Sequence, residues 1–246
     1  MKKAEEYIQK NLNFYPLIFH QKKSLTIGLN IIKNIGELNT MIVVDVETTG
    51  IDPKKHAILS IGAVEFENPE NQFYGECRIW EGAEIMEAEG DLKSALEING
   101  FTREEIRDPK KNSQKQLMKK FLKYIQSCKE HTFAGENPSF DRDFLAATGK
   151  REKLPWTLVH RTIDVHTLGY IYFLKKNCTP PQKNKRTDLK LDNILTLVGL
   201  SEEPKPHHAL TGAKMEAEAI SRLLFGKPLL KEFSTYPMPK GIEHGN

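Results

Sequence analysis

The chain has 246 residues, of which 39% are hydrophobic and 28% charged, with a formal net charge of +3. That length allows one α/β domain with a buried core, or at most two small ones, and the mild basicity permits a polyanionic partner without demanding one. Cys77, Cys128 and Cys178 form no CxxC pair and no apolar run reaches the ~20 residues of a membrane span, which argues against a zinc knuckle, a disulfide framework and a membrane protein.

Residues 1–40 are unlike the rest of the chain. "KKAEEYIQKNL" suits a short amphipathic helix, and "LTIGLNIIKNIGEL" fits helix or strand spacing equally. The basic start has no apolar stretch behind it, so a cytoplasmic protein without a signal peptide is expected. This segment is expected to be an extension, with the organised domain beginning at Met41. From there "MIVVDVE", "AILSIGAVEF" and "QFYGECRIW" read as three strands with short connections, an antiparallel meander. "DLKSALEINGF" and "NSQKQLMKKFLKYIQSC" have helical spacing, the second with an apolar stripe through Leu117, Phe121 and Tyr124 or Ile125. "HTFAGEN" reads as a strand, "PSFDRDFLAATG" as a helix ended by Gly149, and "WTLVHRTID" as another strand. "VHTLGYIYFLKK", "DLKLDNILTLVGL" and "HALTGAKMEAEAISRLLFG" close the pattern as helices. The order predicts an α/β fold with a mixed sheet, the meander plus parallel strands, flanked by helices. The domain is expected to span residues 41–226. Residues 227–246 are expected to form a C-terminal tail, whose Pro- and Gly-rich part "FSTYPMPKGIEHGN" is expected to be loosely held.

"VVDVETTG" places Asp45 and Glu47 two residues apart on one face of a strand end, with Val44 and Val46 on the other. Adjacent carboxylates resist ionisation unless a cation compensates, and a hard divalent metal suits them, although an exposed strand edge would show the same pattern. In "AGENPSFDRDFL", Asn137 suits an N-cap and Pro138 the first helical position. Asp141 then falls in the first turn, where the helix dipole alone also favours a carboxylate. His207 and His208 lie on a Pro-flanked loop entering a helix. A histidine there suits a surface residue or a helix-start contact, and is also a candidate general base.

Taken together, "VVDVETTG", "AGENPSFDRDFL" and "HHALTGA" resemble the three ordered motifs of the DEDDh 3′–5′ exonucleases, a group that includes polymerase proofreading subunits and ribonuclease T. "ALEINGFTREEI", "RTIDVHTL" and "LDNILTLVGL" match as connecting features, and the resemblance runs from Met41 to Gly226. It implies an RNase H-like sheet, two Mg²⁺ or Mn²⁺ ions, Asp45, Glu47 and Asp141 as metal carboxylates, and His207 as general base. It further implies that the main chain around Thr48 and Thr49 holds the terminal 3′-hydroxyl, with Ile51 near the last base. Asn137 and Phe140 join these as substrate contacts. The expected partner is the 3′ end of single-stranded DNA or RNA. A polymerase partner and a catalytically weak end-binding module are the alternatives.

The resemblance breaks at the fourth carboxylate, where Gly212 stands. Glu216 lies one turn on, about 40° around the helix, and helical side chains lean back toward the N-terminus. Glu216 is therefore expected to fill the space that Gly212 leaves and to serve as the fourth metal ligand. Glu218, about 240° around, is badly placed for that. The basic segment Lys175 to Lys190, with Lys183, Lys185 and Arg186, reads as a loop that guides the phosphate backbone or simply faces water.

Overall fold

The computed structural model describes residues 41–155 and 160–239. The expectations for residues 1–40, for Trp156–Val159 within the "WTLVHRTID" strand and for 240–246 lie outside them.

Five strands form one mixed sheet in the order β3-β2-β1-β4-β5. β1 (Ile42–Thr48), β2 (Ile58–Glu65) and β3 (Gln72–Glu76) are the antiparallel meander. β4 (Phe133–Gly135) runs parallel to β1, and β5 (Thr162–Asp164) parallel to β4. β1 is central, and its alternation serves two cores. Val44 and Val46 pack with Leu117, Phe121, Phe144 and Leu145, while Val43 packs with Ala213, Ala217 and Ile220. Asp45 and Glu47 share the Val43 face by the strand's two-residue period.

The helices follow their local signals, with some changes of length. α1 (Ala95–Asn99) is only five residues because Ser94 caps its start, reciprocally with Glu97, and Gly100 ends it in the left-handed region. α2 (Gln114–Ser127) is capped by Ser113 and buries the predicted stripe. α3 (Pro138–Arg151) runs past Gly149, which stays helical and buried, so the predicted stop is corrected by two residues. Asn137 holds the N-cap position in the left-handed region, but its side chain makes no capping bond. Its Oδ1 accepts from Ser139 instead. α4 (Val165–Lys175) is capped by Asp164, α5 (Leu191–Leu197) is two turns long, and α6 (Ala209–Phe225) ends at Gly226. The predicted basic loop contains a tight hairpin, β6 (Gln182–Lys183) and β7 (Arg186–Thr187), turned by Asn184 and Lys185, both at positive φ. Among the described residues no helix is long and apolar enough to cross a membrane.

α6 fixes two things. Its first turn presses on the sheet at Gly62, where a Cβ would stand 2.2 Å from the Ala209 carbonyl carbon and oxygen. Gly62 is the register partner of Asp45, so the helix begins directly over that carboxylate. At its other end Arg222, fully buried, donates to Glu218 at 2.7 Å and to the carbonyls of Val198 and Phe233 at 2.9 and 3.0 Å. Glu218 also accepts from the main-chain N–H groups of Leu229 and Leu230. This corrects the expectation of a loose tail: its described part is bonded to α6, and Phe233, Tyr236 and Met238 pack on the core. Breaking one member of a buried pair leaves the other charge uncompensated. Glu218→Ala is expected to lower unfolding free energy by about 3–5 kcal/mol, read from urea denaturation, with the secondary structure of the remaining folded fraction unchanged.

Candidate active site

Several chain segments bring carboxylates to one cleft of about 440 Å³, and four of them supply the acids nearest Asp45. Asp45 and Glu47 come from β1. Asp141, in the first turn of α3, accepts a hydrogen bond from the Val46 N–H at 2.9 Å, which ties that helix start to β1 between the other two acids. Glu216 comes from α6 and is 4% exposed. Its Oε2 lies 2.9 Å from where a Cβ on Gly135 would be, so it enters from the β4 side. The fourth contributor is Glu203, on the loop between α5 and α6.

His207 stands at the edge of this group. Its N–H donates to the Ile98 carbonyl at 2.9 Å, and its Nδ1 lies 3.5 Å from Glu203 Oε2. One ligand atom from each of Glu47, Glu203 and His207 fits within a mutual 4.8 Å. His208 turns away and stacks on Tyr74, ring centroids 4.3 Å apart.

The electrostatics are those of a site lacking positive charge. Burial, then Glu47 and Glu203, raise Asp45 well above the ordinary carboxylate range. Burial, Glu203 and Asp141 push Glu47 up to about 8. Burial and then Asp45 raise Asp141, and burial followed by Asp45 and Asp141 raises Glu216. Glu203 is raised to about 7 by burial and Asp192. Burial and Lys205 lower His207, which favours the neutral ring. Glu203 Oε1 and Glu216 Oε2 are buried with no hydrogen-bond partner among the described residues. An oxygen-rich donor set with orphaned buried oxygens fits a hard divalent cation.

The other predicted residues divide. Thr48, Ile51, Asn137 and Phe140 line the cleft, and Ile51 is 71% exposed at its mouth. Thr49 does not line it, which corrects the expectation. Its hydroxyl donates to the Glu84 carbonyl and accepts from Ala57, and its main-chain N–H and carbonyl bond to Ala57 and Met86. Lys183, Lys185 and Arg186 lie on the exposed hairpin outside the cleft, and Lys190 is among the residues that line it. Sequence reasoning missed Glu203, together with Glu136, Asp192 and Asn99 in the lining. The available signal for Glu203 was its spacing of four from His207, but on a loop broken by Pro204 and Pro206 that spacing carries no geometry.

Gly212 is also corrected. It does not leave empty space for Glu216, because a Cβ there would lie 2.0 Å from Asp45 Oδ2 and 3.3 Å from Glu203 Oε1. Asp45 occupies that volume. Misplacing a reacting group by about 1 Å can cost about 100-fold in rate. Gly212→Ala is therefore expected to cut metal-dependent activity by about that factor while leaving the urea midpoint nearly unchanged, since the atom displaced is a side-chain end. A second expectation concerns pH. Glu47 is raised from about 4.5 to about 8 in the metal-free fold, so the stability it contributes is present below pH 4.5 and lost as pH rises through 8. Divalent ions should therefore raise the melting temperature far more at pH 8 than at pH 5, as scanning calorimetry with and without EDTA would show.

Residues 40–224 match the profile of the Rv2179c-like 3′–5′ exoribonuclease domain. Ribonuclease T of Vibrio campbellii is 30% identical over 215 residues, covering 78% of this chain and 91% of that protein. A PolC-type DNA polymerase III of Thermotoga petrophila is 27% identical over 187 residues, 75% of this chain and 12% of that one. In fold, the chain resembles the nuclease domain of 3′hExo, a DEDDh family member solved with rAMP. The TM-score is 0.57 at 18% identity, over 78% of this chain and 94% of that one. With the RNase H-like sheet and these matches in hand, the chain belongs to the Rv2179c-like 3′–5′ exoribonuclease domain family and is a DEDDh-type 3′–5′ exonuclease.

Proposed function

We propose that residues 41–226 form a metal-dependent exonuclease domain that trims single-stranded or frayed 3′ ends, RNA ends foremost, and releases nucleoside 5′-monophosphates. The observation that carries this reading is the convergence of Asp45, Glu47, Asp141 and Glu216 in one cleft beside a neutral His207. Divalent-metal dependence follows from the family. Two ions, Mg²⁺ or Mn²⁺, held by those four carboxylates are the finer assignment. When bound, such ions supply Lewis acidity to both the attacking and the leaving oxygens of an in-line displacement at phosphorus.

The chain's own residues do the rest. With Nδ1 of His207 turned to Glu203, Nε2 is the nitrogen left to accept a proton from the attacking water. Thr48 is held in place because its carbonyl accepts from Asn99 and its hydroxyl donates to the Gly50 carbonyl, which suits it to position a terminal sugar. Ile51 offers an exposed apolar surface for the last base, and Phe140, braced on Phe144 with ring centroids 4.8 Å apart, forms another part of the wall. Lys190 can meet backbone phosphate. The preference for RNA is supported by the family's activity. Association with a polymerase is a second reading, favoured by the Thermotoga relative, in which the matching stretch is part of a polymerase chain.

Incubating 5′-labelled single-stranded RNA and DNA with Mg²⁺ or Mn²⁺, and then with EDTA, tests the reading. Stepwise shortening from the 3′ end that stops with EDTA is expected, faster on RNA. Asp45→Asn and Glu216→Gln should each lose more than the roughly 10–100-fold typical of changes around a ligand rather than to it. Tight binding without shortening in any metal would identify a silent end-binding module instead. Full activity in Glu216→Gln would remove that residue from the metal set.

A further inference from the structure

Glu203 belongs to none of the three motifs, yet it is 8% exposed and its Oε1 is buried without a partner, facing the acidic cleft. We propose that Glu203 supplies the carboxylate that Gly212 lacks, as a metal ligand on the His207 side of the site, while Glu216 serves the Asp141 side. The proposal rests on the metal-dependent reading above and deepens it.

Position is the first support. A family aspartate at 212 would carry its carboxylate one bond beyond a Cβ, and Glu203 Oε1 lies 3.3 Å from where that Cβ would be. A longer side chain from the preceding loop thus delivers an oxygen to the neighbourhood that a shorter one from α6 would have reached. Company is the second. Glu203 shares a mutual 4.8 Å envelope with Glu47 and His207, whereas the charges that bear on Glu216 are Asp45, Asp141 and Glu136. The two glutamates therefore flank Asp45 from different sides, and one cannot do the other's work. Steric exclusion is the third. Asp45 Oδ2 fills the place of a Cβ at 212 and Glu203 Oε1 borders it at 3.3 Å, so the glycine and the loop glutamate form one arrangement. A purely structural account would have Glu203 only steady His207, through the 3.5 Å contact, and anchor its loop through the 3.3 Å bond from its N–H to Asp192. That account leaves Oε1 unexplained.

The test uses the full metal-free chain titrated with Mn²⁺ alone, with free Mn²⁺ followed by electron paramagnetic resonance. Glu203→Gln keeps the side-chain shape and removes one like charge. At least one Mn²⁺ site is expected to weaken tenfold or more with an unchanged circular dichroism spectrum, and the rise in melting temperature on adding Mn²⁺ should shrink. Wild-type Mn²⁺ affinity in Glu203→Gln would overturn the proposal. If that variant does not fold, Glu203→Asp, which keeps the charge and shortens the reach, is judged by the same affinity criterion. A wild-type chain that binds Mn²⁺ and shortens RNA while Glu203→Gln binds equally well sinks this assignment alone. A wild-type chain that takes up no Mn²⁺ sinks the two-ion reading with it.

Discussion

The close approach of α6 to the sheet governs this molecule. The helix can land on β2 only because Gly62 has no side chain there, and it can pass over Asp45 only because Gly212 has none. Those two contacts set the height of the helix above β1, and every acid on that face is placed relative to it. At Gly62 the neighbour is the main chain of α6, and close packing leaves no slack to absorb an added methyl there, whereas at Gly212 the neighbour is the end of the Asp45 side chain. The cleft is therefore the space that remains where α6, β1 and the start of α3 nearly meet.

Such a site is held together against its own electrostatics. Burial and mutual repulsion act on the same carboxylates, and against them stands the hydrogen bond that Asp141 accepts from the Val46 N–H. Net stability of a domain is only about 5–15 kcal/mol, so strain of this kind must be offset elsewhere. β2 is buried along its whole length and β1 nearly so, and two apolar clusters sandwich them. The rigid interior is what allows an unfavourable cluster to persist until a cation compensates it.

What the sequence disclosed depends on how local each signal is. Asp45 and Glu47 were legible because strand period alone puts them on one face, and Asp141 because Pro138 dates the start of its helix. Glu216 was legible in direction but not in reason, since the volume over Gly212 turned out to belong to Asp45. Glu203 was invisible because its placement depends on how a Pro-flanked loop folds over the cleft. Thr49 was misread because Ala57 and Met86, which follow it later in the chain, consume the main-chain groups assigned to substrate. The hairpin at Asn184 and Lys185 lacked the Asn-Gly signature that would have announced it. The tail was misjudged because composition does not show which carbonyls a buried arginine will collect.

That arginine and its partner also provide an internal reference. Glu216 and Glu218 stand two residues apart on one helix and are both hidden from water, yet their surroundings are opposite. Glu218 accepts from a guanidinium and two peptide N–H groups, so every reason for its burial lies within the chain. Glu216 keeps an oxygen that nothing in the described chain satisfies. Inaccessibility alone thus says little about an acid's role. The sharper criterion is whether the protein saturates the carboxylate itself, as a finished joint, or leaves a valence open, as a socket awaiting a visitor.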